Sequence, residues 1–293
     1  MKKFIHILTF LSLLFLGYYL YKSDILHLPI IYNYSPLVAS FLCLFGGFVA
    51  QVYTWKATLR AAGYIADARV CFSGTGLSVF AKYIPGKVMV IVGRAAFVAD
   101  KYGYSLESMS ALSLTTQLIT LWVGLSVGAL GLVLAGGYAA WTWLTLGLWA
   151  ALTIAVFSNW VNKLLSSILQ FFLKRAVQLP HLTYKQVGNG LHWYVLNWLL
   201  WAAGFYFLCS SLSVQTVPFI AGLGYPLAIT LGIAAMLTPG GIGVREGMIV
   251  IFLKLLGFDL ATATTISVAS RLWFLIGEVF SFAIGWIAKQ GEK

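Results

Sequence analysis

Residues 238–247 read TPGGIGVREG, yet they stand between two apolar segments, VPFIAGLGYPLAITLGIAAML upstream and MIVIFLKLL downstream. Proline has no N–H and glycine admits backbone angles closed to other residues, so a helix entering this stretch stops and another begins after it. Polar backbone freed in that way is tolerated at membrane depth only inside protein or beside a water-filled cavity. Such a chain must build a helical bundle around the break, with something polar for the break to face.

Composition places that bundle in a bilayer. Hydrophobic residues make up 60% of the 293, charged residues 9%, and mean hydropathy is +0.89. A soluble domain carries about 25% charged residues. The expected fold is an all-α polytopic membrane protein, a single transmembrane domain over 1–293. The net charge of +11 fits Lys and Arg gathered in cytoplasmic loops and near anionic headgroups, and no nucleic acid partner is expected. Cys43, Cys71 and Cys209 are odd in number and lie in or beside apolar segments, and the four histidines are scattered. Neither a disulfide framework nor a metal site is expected, and no cofactor.

Six full spans are expected at about 4–21, 35–55, 107–135, 139–158, 188–209 and 260–288. The first is expected as an uncleaved helix, because GYYLYK after the apolar run offers no small-x-small cleavage site. Tyr53, Trp55 and Lys56 are expected as interfacial anchors of the second. Two further apolar regions, 71–99 and 217–257, are interrupted by Pro-Gly and form hairpins, either re-entrant or short paired spans. With the N-terminus cytoplasmic, Lys2, Lys3, Lys56, Arg60, Arg69, Lys101, Lys163, Lys174, Arg175, Lys185, Lys289 and Lys293 fall inside, and Lys22 and Lys254 outside. Both termini are therefore expected in the cytoplasm. Residues 158–186 show an amphipathic pattern: Trp160, Leu164, Leu165, Ile168, Phe171 and Phe172 share one face, with Asn162, Lys163, Ser166, Ser167 and Lys174 largely opposite. That suits a helix lying in the cytoplasmic headgroup layer.

The sequence also repeats. A shift of 154 positions places AKYIPGKVMVIVGR at 81–94 on the second break, with Pro85 on Pro239, Gly86 on Gly240 and Gly93 on Gly247. The same shift sets SLTTQL at 113–118 on SVASRL at 267–272. Units of about 35–135 and 188–288 then enter the membrane from opposite sides, as in inverted-repeat transporters whose site lies near the midplane. The half-helix after Gly241 is expected to aim its N–H groups into that cavity, where they favour an anion.

Charges gather at the breaks. Lys82, Lys87 and Arg94 flank the first, Arg245 and Glu246 the second, and Arg271 and Glu278 share one face of the last span. Intramembrane charges are costly and either pair or line a pathway. Arg271 and Glu278 are thus a buried pair holding helices in register or part of the passage; Lys82 and Arg94 either snorkel to the interface or face the passenger. The excess of cations suits a phosphate, which arginine grips with a two-pronged fork. Gly124, Gly128 and Gly131 are expected as close-packing positions between helices.

KYIPGKVMVIVGR and TPGGIGVREG resemble the paired motifs of the flippase-like family related to the transmembrane region of lysylphosphatidylglycerol synthases. The resemblance runs from about 35 to 288. It implies a multi-pass protein in the cytoplasmic membrane of a prokaryote, moving anionic phospholipids, aminoacyl-phospholipids or polyprenyl-phosphate-linked headgroups. It also implies functional positions at Lys82, Pro85, Gly86, Lys87, Gly93 and Arg94, and at Pro239, Gly240, Gly241, Gly243, Arg245, Glu246 and Gly247. Met89 stands where relatives commonly carry an aromatic residue. The synthases add a soluble aminoacyl-transferase domain after the membrane region; this sequence reaches Lys293 without one, so synthesis of lysylphosphatidylglycerol is not expected. Two other functions compete with lipid translocation. One is a membrane-embedded transferase or hydrolase on the same lipids; the other is a non-transporting partner of a separate lipid-modifying enzyme, docked through 158–186. A homo-oligomer is compatible with all three.

Overall fold

A computed structural model describes residues 29–83, 88–136, 139–160, a few positions within 163–170, 182–234 and 243–291. The expected first span at 4–21, most of the amphipathic segment 158–186, and the Pro-Gly corners themselves lie outside the described residues. Among the described residues there are nine α-helices and no strands. They are α1 (Tyr34–Ala61), α2 (Ala68–Leu77), α3 (Val88–Tyr102), α4 (Leu106–Leu134), α5 (Ala139–Phe157), α6 (Tyr184–Leu212), α7 (Gly224–Ala234), α8 (Val244–Leu255) and α9 (Leu260–Gln290). Short 3₁₀ turns at Val79–Tyr83 and Phe219–Leu223 follow α2 and precede α7. By length and composition, α1, α4, α6 and α9 are each able to cross a membrane.

Polar caps mark where these apolar runs begin. The Asn33 side chain accepts from Ser35 N (3.1 Å), Ser105 Oγ from Ser108 N (3.2 Å) and the Asp259 carboxylate from Thr262 N (2.9 Å). Thr183 and Gln186 bond reciprocally at the start of α6. Each cap satisfies an N–H that the first helical turn leaves open.

Helices α1 and α6 form the central pair and run antiparallel. Tyr32 N donates to Ser211 O (2.9 Å) at one end, and Gln186 Nε2 donates to Ala61 O (2.9 Å) at the other. Between those ends Trp201 fills a notch at Gly47, where an added Cβ would lie 2.3 Å from the indole. Asn197 Nδ2 donates to the Gly47 carbonyl (2.9 Å), and the Thr58 and Tyr194 hydroxyls meet. Phe48, Trp201 and Phe274 pack as a buried aromatic knot against α9.

Glycines set the remaining crossings. A Cβ at Gly124 would strike the Trp198 ring at 2.5 Å, one at Gly128 the Leu227 backbone at 2.6 Å, and one at Gly131 the Leu223 side chain at 2.5 Å. All three lie on α4: Gly124 admits the Trp198 ring of α6, and Gly128 and Gly131 let α7 and the 3₁₀ turn before it sit close to that helix. On the other side of the bundle α2 crosses α9, with Gly76 against Ser281 and Gly285. Helix α5 lies outermost and is tied to α4 by indole donors, Trp122 Nε1 to Thr153 Oγ1 (2.9 Å) and Trp149 Nε1 to Ser126 Oγ (2.9 Å).

Trp55 departs from its expected anchoring role. It is fully buried, because its ring lies under a guanidinium from α3 and not at the membrane surface; the contact is described below.

Candidate functional site

The charged side chains of the second break converge halfway along α9. Leu275 is the midpoint of Leu260–Gln290, and Arg271, Phe274 and Glu278 lie within about 6 Å of it along the axis at 1.5 Å per residue. The 3₁₀ turn brings Lys82 and Tyr83 to this level from one side, and the start of α8 brings Arg245 and Glu246 from the other.

Arg271 and Glu278 do not pair with each other. Seven residues on one helix separate them by about 10 Å, too far for contact, and each finds a partner on another element. Lys82 Nζ donates to Glu278 Oε1, and Tyr83 Oη donates to Glu278 Oε2 at 2.9 Å. Arg271 Nε donates to Glu246 Oε1. Lys82 therefore does not snorkel to the interface: its chain is half-buried, and its ammonium lies 5.0 Å from the centroid of the Phe274 ring. Glu278 is 1% exposed, so both partners of its carboxylate are needed to offset desolvation. Glu278→Ala is expected to destabilise the fold by about 3 kcal/mol, since it strands Lys82 without its counter-charge. Adding Lys82→Met should recover most of that loss, as measured by thermal unfolding in detergent.

The N-terminus of α8 is occupied by the chain itself. Gly243, at φ +83°, turns the backbone into the helix, and its N–H donates to Glu246 Oε2 at 2.7 Å. The expectation that these N–H groups wait for a passenger anion is corrected at Gly243, because a carboxylate three residues on is always in reach.

Arg245 is 7% exposed, and neutral groups hold it through Nη2. Its Nη2 donates to Tyr225 Oη (2.9 Å) and to the Ser270 carbonyl (3.1 Å), while its guanidinium carbon lies 5.2 Å from the Tyr225 and Phe274 ring centroids. Among the described residues its Nε has no hydrogen-bond partner. Among the described residues the cluster thus holds three cations, Lys82, Arg245 and Arg271, against two carboxylates.

Arg94 lies elsewhere, and it does not snorkel either. It is 7% exposed within α3, bonded to Ser113 of α4 and stacked on Trp55 at 4.8 Å. Gly93 is buried beside it in α3. Gly247 is half-buried in α8 with open space where a Cβ would stand. Lys87, Pro85, Gly86, Pro239, Gly240 and Gly241 fall outside the described residues. No group of three or more His, Cys, Asp or Glu among the described residues is arranged to hold a metal ion.

Tyr83, Tyr225, Ser270 and Phe274 were not singled out from the sequence. Tyr83 directly follows Lys82 in the first motif, which was a usable signal. The other three are ordinary members of apolar runs, and their role depends on contacts across 20 residues or more.

The family described as "Lysylphosphatidylglycerol synthase TM region" matches residues 4–280. The chain belongs to this family. Comparison with curated proteins gave no match. Membership in the lysylphosphatidylglycerol synthase transmembrane family, with four helices apolar and long enough to span, makes this a multi-pass membrane protein related to lipid modification or translocation.

Proposed function

We propose that the protein is a lipid translocator, carrying a phosphate-bearing headgroup through the cationic cluster while the acyl or prenyl chains stay in the bilayer. The observation that carries this is Arg245, a buried cation at mid-depth whose Nη2 is held by neutral groups and whose Nε has no hydrogen-bond partner among the described residues. A guanidinium with N–H groups left unpaired is a donor suited to phosphate oxygens. Lys82 and Arg271 stand beside it with carboxylates that a phosphate can replace as counter-charge.

The arrangement of helices supports alternating access. Under the 154-residue shift α1 falls on α6, α2 on α7, α3 on α8 and α4 on α9. The two leading helices are antiparallel, α2 packs on α9, and α7 packs on α4. Each unit's first half-helix thus rests on the closing helix of the other, the exchange expected of an inverted repeat. Lys56, Arg60, Arg69, Lys101, Lys185 and Lys289 lie toward one end of the bundle, which supports a cytoplasmic placement of that end, in a prokaryotic inner membrane.

Reconstitution in liposomes tests the proposal. Labelled phosphatidylglycerol or polyprenyl phosphate is expected to cross between leaflets chemically unchanged, while a label on diacylglycerol shows no protein-dependent movement. Product formation without movement would replace translocation with a transferase or hydrolase, and neither movement nor product would leave a membrane partner for another enzyme.

A further inference from the structure

Arg94 repeats, in a separate place, the device built around Arg245. Its Nε donates to Ser113 Oγ (3.1 Å), and its Nη2 donates to Ser113 Oγ (2.9 Å) and to the Ser113 carbonyl (2.8 Å). Trp55 of α1 covers one face. Nη1, with two of the five donors, has no hydrogen-bond partner among the described residues. The Tyr194 phenol and the Cys71 thiol are the titratable groups near this cation, and no carboxylate among the described residues forms a salt bridge with it. In both arginines, then, Nη2 is fixed to a serine carbonyl on the next long helix and an aromatic ring lies against the guanidinium, while Nη1 of Arg94 and Nε of Arg245 have no partner among the described residues.

The two sites differ in depth. Arg94 lies eight residues before the end of α3, about 12 Å from the α3–α4 corner at 1.5 Å per residue. Arg245 lies ten residues before the end of α8, about 15 Å from the opposite α8–α9 corner. Arg94 is therefore nearer to its own face, the end of the bundle where Asp67 N meets Tyr102 Oη. A buried, permanently charged group without an acid is costly in a membrane protein and marks a site for an anion.

We propose that Arg94 forms a second, shallower station for the lipid phosphate, between α1, α2, α4 and α6, which holds a headgroup on its way to or from the Arg245 cluster. This rests on the translocation reading. The ligand is a phosphodiester on a lipid, bound through the unpaired Nη1 of Arg94.

Calorimetric titration of the full chain in detergent with short-chain phosphatidylglycerol tests it. Two lipids are expected per chain. Arg94→Gln should leave one, with its affinity changed less than twofold and the melting temperature of the protein preserved. Arg94→Lys, which keeps the charge and loses the fork, should leave two, one of them about tenfold weaker. Inorganic phosphate at equal concentration should displace neither. A single lipid on the unsubstituted chain, two lipids retained by Arg94→Gln, or displacement by inorganic phosphate would overturn the second station. The first of these needs no variant to fold. One bound lipid with rapid movement in liposomes would remove the station and leave translocation standing; two bound lipids without movement would do the reverse.

Discussion

Arg245→Ala is expected to slow transbilayer movement of labelled phosphatidylglycerol about a hundredfold, as two charge-assisted hydrogen bonds worth about 1.5 kcal/mol or more each are lost at mid-depth. The measurement is the rate at which a headgroup label becomes accessible to a membrane-impermeant quencher outside the liposome. Arg245→Lys should fall between, slower by about tenfold, because a lysine supplies charge without a planar fork. The truncation also strands the Tyr225 hydroxyl and the Ser270 carbonyl, which the Nη2 group now satisfies. Loss of such partners costs about 1–3 kcal/mol, so melting temperatures must be read beside the rates. Tyr225→Phe separates the two effects: it removes the hydroxyl anchor while keeping the ring and the guanidinium. An unchanged rate for Arg245→Ala, in a preparation where the unsubstituted protein is active, would take the phosphate away from this residue.

The second large effect concerns the fold. Gly76→Val is expected to destabilise the protein by about 3 kcal/mol or more, through overpacking that no rotamer can relieve. A Cβ at Gly76 would stand 2.3 Å from the Ser281 carbonyl oxygen and 2.9 Å from the Gly285 Cα. Both are backbone atoms of α9, so relief requires the two helices to part, and with them Lys82, in the 3₁₀ turn that follows α2, and its partner Glu278 on α9. Gly147→Ala and Gly188→Ala provide the contrast. Each is a helical glycine with nothing within 4 Å of the added carbon, and each should be neutral or gain up to about 1 kcal/mol in helix propensity. Thermal unfolding in detergent distinguishes them. If Gly76→Val melts with these controls, the α2–α9 crossing is looser than described.

Much of the helix layout was legible in advance. The apolar runs predicted at 35–55, 107–135, 139–158, 188–209 and 260–288 are helical, each extending only a few residues beyond or short of those limits. The packing role of Gly124, Gly128 and Gly131 was also legible, because small residues recurring on one face of an apolar helix imply a close neighbour. The sequence pointed to Lys82, Arg245, Glu246, Arg271 and Glu278, which the structure brings together, but not to their pairing nor to Tyr83, Tyr225, Ser270 and Phe274. Glu278 takes Lys82 and Tyr83, some 195 positions away in sequence, whereas the sequence suggested Arg271 on the same helix face. Glu246 turned out to cap its own helix and hold Arg271 together.

From the sequence alone came those properties that depend on a residue and its near neighbours: apolar length, the small residues along α4, and the scarcity of charge that commits the chain to a membrane. Tertiary structure decided which cation meets which acid, that Trp55 lies beneath Arg94 instead of at the interface, and that Tyr225 and Phe274 frame Arg245. Backbone geometry is set within a few residues, so it can be read along the chain. Ion pairing is set by distance between elements, and in a low-dielectric interior a few ångströms decide which partner wins.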